Sequence, residues 1–150
     1  MSTTLTQLKI SGVTVAEAEQ LWYDTARWPL FVDGLQSVVS VEGDPPQRGS
    51  RVVWQSFPAG RGEVSETVVE YSPGAGQQLE VLDRSLQGVQ RVGFSQLDGA
   101  VGVELSLDYR LSSANPLRAL IDLLFIRRAQ NQSLRRTLAA FAAELQSIDG

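Results

Sequence analysis

The stretch Asp98-Gly99-Ala100-Val101-Gly102-Val103-Glu104-Leu105-Ser106-Leu107-Asp108-Tyr109-Arg110-Leu111, with the segment that opens at Asn115-Pro116, decides the fold. Val101, Val103, Leu105, Leu107, Tyr109 and Leu111 share one face of an extended chain, and Gly102, Glu104, Ser106, Asp108 and Arg110 share the other. Strict alternation with one dry face and one wet face belongs to an antiparallel sheet covered on one side only. Asp98-Gly99 between two alternating runs is a hairpin signal, because tight turns need residues that tolerate positive φ. Asn115 then offers a helix N-cap and Pro116 suits the first helical position. No further glycine or proline occurs before Gly150, so one helix of about 30 residues is expected to the end of the chain.

Working outward, residues 63–71, 78–82 and 89–97 form further β-rich runs, as do Val38 to Val41 and Val52 to Phe57. Turn-formers separate them: Asp44-Pro45-Pro46, Pro58-Ala59-Gly60, Ser72-Pro73-Gly74-Ala75-Gly76 and Gln87-Gly88. Residues 4–12 read as a first strand with Leu5, Leu8 and Ile10 as its apolar members. Thr14-Val15-Ala16-Glu17 has capping-box spacing and predicts a short helix through Leu21 and Trp22. Pro29 can open a second short helix but cannot sit deep within the first. The order is strand, two short helices, six strands, long helix. This predicts an α+β domain in which a curved antiparallel seven-stranded sheet grips its last helix. No linker or repeat divides residues 1–150, which read as a single domain.

The composition excludes several functions. With 43% hydrophobic residues the chain can build a core of ordinary size. The longest uninterrupted aliphatic-aromatic run, Leu123 to Ile126, is far short of the roughly 20 residues that span a bilayer, so no stable membrane insertion is expected. Met1 to Ile10 has no basic region followed by an apolar stretch, so a cytoplasmic protein is expected. There is no cysteine and no histidine, which removes thiolate chemistry, His-based nucleophile pairs and most zinc or copper sites. No cofactor is expected, and the balance leans away from an enzyme. The net charge of −4 argues against general affinity for nucleic acid. That charge is uneven: residues 115–150 carry +2 and the first 114 residues −6.

On a helical wheel of the last segment, Leu120, Leu134, Leu138, Phe141 and Leu145 fall on one stripe. Arg127 lies in the middle of that stripe, with Asn131 beside it and Gln130 at its margin. Burying such groups unpaired costs several kcal/mol. Either they have partners, or this part of the helix faces a cavity with polar contents, or a bend lets Arg127 reach water. Glu66 is a candidate partner. Val64, Glu66, Val68 and Glu70 share one strand face while Ser65, Thr67, Val69 and Tyr71 share the other. Both faces are mixed, so the pattern alone leaves the inward one open. With the Glu66 face inward, its carboxylate and Arg127 would meet across the cavity.

Leu21-Trp22-Tyr23-Asp24-Thr25-Ala26-Arg27-Trp28-Pro29-Leu30-Phe31-Val32, the run Val38-Val39-Ser40-Val41 and the closing helix resemble the SRPBCC, or START-like, superfamily of polyketide cyclase/dehydrase and lipid-transport proteins. Trp28-Pro29-x-Phe31 is similar to its coenzyme Q-binding branch, and Gly62 to Tyr71 looks like the fourth strand of many small bacterial members. The resemblance spans nearly the whole chain and implies a helix-grip fold. It also implies a deep cavity between sheet and last helix, with Trp28, Phe31, Trp54, Phe57, Phe94, Leu105, Leu107 and Tyr109 contributing to the lining. The aromatase/cyclase branch carries a cavity arginine close to a tryptophan on an early strand. Here Gln55-Ser56-Phe57-Pro58 follows Trp54 without an arginine, and Arg51 precedes it by three. That departure weakens a cyclase assignment.

Three functions remain open at this level. The first is binding, transport or sensing of a small apolar ligand of lipid-, quinone- or polyketide-like kind. Glu66, Arg91, Arg127, Asn131 and Tyr109 are then candidate orienting groups, and Leu120 and Leu124 further wall residues. The second is a cyclase or dehydratase in which Glu66 or Tyr109 moves protons; it needs a carboxyl with a raised pKa, which a nearby arginine opposes. The third is a partner- or membrane-binding module using the apolar surface of Leu120 to Ile126, which would suit a homodimer.

Overall fold

The structure is a computed structural model describing residues 2–58, 61–111 and 116–149, and the side chains among these except 2, 116–127 and 149. The described residues form seven strands and three α-helices. In chain order these are β1 (Ser2–Ser11), α1 (Val15–Trp22), α2 (Trp28–Phe31), β2 (Leu35–Glu42), β3 (Arg51–Ser56), β4 (Glu63–Ser72), β5 (Gly76–Leu82), β6 (Leu86–Leu97), β7 (Ala100–Leu111) and α3 (Pro116–Asp149). A single 3₁₀ turn, Thr25–Arg27, joins α1 to α2. All strand pairs are antiparallel and the sheet order is β1-β7-β6-β5-β4-β3-β2. This is the helix-grip arrangement expected from the order of elements.

Local chemistry explains each boundary. Thr14 caps α1 as a capping box: its Oγ1 accepts from the Glu17 amide while Glu17 Oε1 accepts from the Thr14 amide at 3.0 Å. Pro29 stands in the first turn of α2, where its missing N–H costs nothing. Leu97 pairs with Ala100 across Asp98-Gly99, and Gly99 supplies the positive φ of 67° that the turn requires. Asn115, the expected N-cap of α3, lies outside the described residues.

The inward faces of the strands and one stripe of α3 make a single core. Val101, Val103, Leu105, Leu107 and Tyr109 are all buried, as their alternation requires. On α3, Leu134, Leu138, Phe141 and Leu145 face them, and Phe141 is fully buried. Trp22 packs on Phe141 at 5.1 Å and on Phe31 at 5.7 Å between ring centroids, so α1, α2 and α3 share one aromatic knot. The amide of Asp33 donates to Thr137 Oγ1 at 3.0 Å and ties the end of α2 to α3.

Two features depart from simple alternation. On β1, Leu5 and Leu8 are exposed, and only Ile10 of the three apolar members enters the core, where Thr4 joins it. On β4 the ladder with β5 shifts register between Val68 and Glu70. Val64, Glu66 and Val68 point inward, but the irregularity turns Glu70 out and lets Tyr71 pack against the core instead.

Candidate functional site

β4 carries Glu66 on its inward face between Val64 and Val68, opposite Val52 on β3 and Val81 on β5. A carboxyl is thereby set among apolar neighbours and is 8% exposed. It faces a cavity between the sheet and α3. Trp22, Trp28, Phe31, Val32, Trp54, Leu79, Val81, Leu105, Leu107 and Leu134 make the apolar wall. Asp33, Arg61, Glu66, Gln90, Gln130, Ser133 and Thr137 make the polar part. Gln130, Ser133, Leu134 and Thr137 recur at helical spacing, so among the described residues one stripe of α3 supplies the helix side of this wall.

The cavity is narrow, with a free volume of about 40 Å³. The indoles of Trp22, Trp28 and Trp54 and the ring of Phe31 fill the space that the resemblance assigns to a deep pocket. That volume holds a water or two. A larger occupant must move part of the wall.

Arg61, in the connection from β3 to β4, organises the polar end. Its Nε donates to Asp83 Oδ2 at 2.7 Å. The other Asp83 oxygen accepts from the Ser85 amide at 2.8 Å, Ser85 Oγ at 3.0 Å and the Leu86 amide at 2.9 Å. Burial alone would raise the Asp83 pKa, but the Arg61 charge and these bonds outweigh it and hold the carboxyl below its ordinary value. The Arg61 guanidinium also lies 5.6 Å from the centroid of the Trp54 ring, a cation–π placement. Its Nη2 is buried without a hydrogen-bond partner among the described residues, and so is Trp54 Nε1.

Glu66 responds to this setting. Loss of water pushes its pKa up to about 7, while the Arg61 charge and the approaching Trp54 indole N–H pull the other way and lose. The indole stops short of a well-formed hydrogen bond, and Arg61 and Glu66 form no ion pair with one another. Near neutral pH the carboxyl therefore holds its proton far more readily than an ordinary glutamate and can donate as well as accept.

Of the residues singled out in the sequence, Trp28, Phe31, Trp54, Glu66, Leu105 and Leu107 meet at this cavity. Two lie elsewhere. Phe57 follows the inward pair Trp54 and Ser56, so strand parity turns it outward and it is 55% exposed. Arg91 sits between inward Gln90 and Val92, on the outer face of β6, where it pairs with Asp108 Oδ2 at 2.6 Å and Gln78 Oε1 at 3.1 Å. Phe94 is buried in the aromatic knot against Trp22 and Tyr23 rather than in the cavity wall. Tyr109 is buried one inward step beyond Leu107, and Asn131 is half-buried beside Gln130, which takes the wall position. The side chains of Leu120, Leu124 and Arg127, and the apolar surface of Leu120 to Ile126, lie outside the described residues.

Arg61 is a candidate site residue that the sequence reading missed. An arginine does follow Trp54, but seven positions on and across the Pro58-Ala59-Gly60 connection, so a search of the same strand passes over it. Among the described residues no cluster of three or more metal-ligating side chains occurs, and no helix is long and apolar enough to cross a membrane.

A family model described as polyketide cyclase / dehydrase and lipid transport matches residues 4–146. Several solved structures share the fold. A norcoclaurine synthase point mutant from Thalictrum flavum, in complex with a transition-state analogue, has a TM-score of 0.73 at 9% identity, covering 99% of this chain and 96% of that one. A START superfamily protein from Mycobacterium smegmatis has a TM-score of 0.73 at 9% identity, covering 97% and 98%. A Deinococcus radiodurans protein has a TM-score of 0.61 at 21% identity, covering 95% and 96%. Identities this low establish the fold alone. No curated protein matches the chain.

Proposed function

We propose, from the premise that the chain belongs to the polyketide cyclase / dehydrase and lipid transport family of START-like proteins, that it binds a small hydrophobic molecule by its apolar skeleton and orients it at Glu66. Binding in a hydrophobic cavity is the coarse function that the family supports; lipid-, quinone- and polyketide-like molecules are the finer candidates. The observation that carries the reading is a buried carboxyl set among apolar strand neighbours, beside donors that have no partner among the described residues. A core built for stability alone gains nothing from such a group, which costs free energy unless something completes it. Apolar walls supply affinity and a few convergent polar groups supply orientation. Because the free volume is small, entry of such a molecule requires part of the wall to move. The cysteine-free composition fits a carrier or sensor in the cytoplasm.

The direct test is native mass spectrometry of gently purified protein. A co-purified apolar molecule, displaced by an added apolar probe, is the expected result. Bare protein that also fails to bind any apolar probe saturably would overturn the reading.

The same carboxyl supports a second reading, a cyclase or dehydratase. A general acid–base works best with a pKa near the working pH, and burial brings Glu66 there although an arginine stands nearby. Turnover of a polyketide mimic that disappears in Glu66→Gln, with the thermal melt intact, would establish it. Binding without turnover returns the first reading.

A further inference from the structure

We infer that the polar end of the cavity selects a ligand with an uncharged carbonyl oxygen, received by the donors of Arg61, Trp54 and Glu66, and discriminates against a carboxylate. This rests on the reading that the cavity binds a small apolar molecule, and it names the head group of that molecule.

The donor inventory is lopsided. Arg61 Nη2 and Trp54 Nε1 are both buried and have no hydrogen-bond partner among the described residues, the indole only approaching Glu66. Neither an indole nor a guanidinium can accept a hydrogen bond, so whatever completes them must bring lone pairs. Thr137 Oγ1 already accepts from the Asp33 amide, which leaves its own hydrogen to donate. Glu66, buried and facing the same space, adds an O–H when protonated. Buried polar groups in folded proteins are nearly always satisfied, so a cluster of spare donors is a mould for an acceptor.

Charge then separates neutral acceptors from anions. The single positive charge of Arg61 is already matched by Asp83, whose carboxylate is closed to solvent and fully hydrogen-bonded. A ligand carboxylate would add a further negative charge near the Asp83 carboxylate and the Glu66 carboxyl, with no cation among the described cavity residues left to balance it. Desolvating that unbalanced anion is unfavourable, whereas a ketone, ester or amide oxygen presents lone pairs without the charge. Discrimination against the anion is thus built from repulsion as well as from attraction.

Three probes on one skeleton test this: 2-acetonaphthone as the neutral carbonyl, 2-naphthoate as the carboxylate and 2-ethylnaphthalene as the hydrocarbon. Affinities are measured by titration calorimetry at neutral pH on the full chain. The ketone is expected to bind about tenfold or more tighter than either of the others, the gain of satisfying a buried donor. In Trp54→Phe, and separately in Arg61→Met, the ratio of ketone to hydrocarbon affinity should shrink towards unity; circular dichroism melts show which variants remain folded. Equal affinities for ketone and hydrocarbon, or naphthoate as the tightest ligand, overturn the head-group inference while leaving the cavity reading in place. Failure of all three to bind overturns both.

Discussion

Arg61 Nε reaches Asp83 Oδ2 at 2.7 Å, and the carboxylate that it reaches is wholly closed to solvent. This pair links the β3–β4 connection to the β5–β6 turn and fixes Arg61, which lines the cavity. Truncation at Asp83 strands a guanidinium and the Ser85 and Leu86 amides together. Asp83→Ala should therefore lower unfolding free energy by about 3 kcal/mol, read as a shift of the urea midpoint at constant slope. The Asp83 pKa lies below the ordinary 3.8, so the pair's contribution is present above that value and is lost as pH falls through the folded pKa.

Glu66 gives the opposite pH dependence. Its carboxyl ionises near 7 when folded against an ordinary 4.5, so the folded state holds the extra proton between those values. Stability should fall as pH rises from 4.5 and level off above 7, by about 3 kcal/mol in all. Glu66→Gln removes the ionisation, so the slope over that window should flatten and the variant should be the more stable protein at pH above 7. Urea titrations at a series of pH values check this, and parallel curves for the two proteins would count against a carboxyl ionising in the cavity.

Gly76 and Gly74 stand two residues apart and should behave differently. A Cβ on Gly76, where φ is 143°, would lie 1.9 Å from the carbonyl oxygen of Val92. Gly74, at φ 80°, has open space around it. Gly76→Ala should cost about 3 kcal/mol or more because β5 must move away from β6. Gly74→Ala should cost only the left-handed backbone penalty of about 1 kcal/mol. Thermal melts of the two variants give the comparison.

Thr14→Ala removes one half of the capping box and should cost about 1 kcal/mol, with the loss visible as faster amide exchange in the first turn of α1. Thr14→Ser should restore most of it.

Much of the architecture was legible because it rests on local chemistry that one chain displays. The alternation of Val101 to Leu111, the Thr14–Glu17 box and the Leu134–Leu145 stripe each state a local geometry and the face that is buried. What stayed hidden depends on irregularity or on long-range placement. The register shift after Val68 moves Glu70 out and Tyr71 in, and nothing in Glu63 to Tyr71 announces an extra residue. Strand parity puts Phe57 outside, but parity can be read only once the inward member of the strand is known. Glu66 was legible as one of two alternatives and the fold chose between them. Arg61 reaches Trp54 and Asp83 through a loop, so its position is a property of the tertiary structure rather than of the spacing.

The ladder that sets Ser2 opposite Tyr109 and Ser11 opposite Ala100 has a consequence for synthesis. Of these seven strands β1 is made before the others, yet its hydrogen-bonding partner β7 is made after them. Through the translation of the five intervening strands its backbone donors and acceptors have only water, and Leu5 and Leu8 travel with them. Completion of the sheet therefore waits on β7, and of the seven strands it is β1 that factors shielding nascent chains must cover for longest.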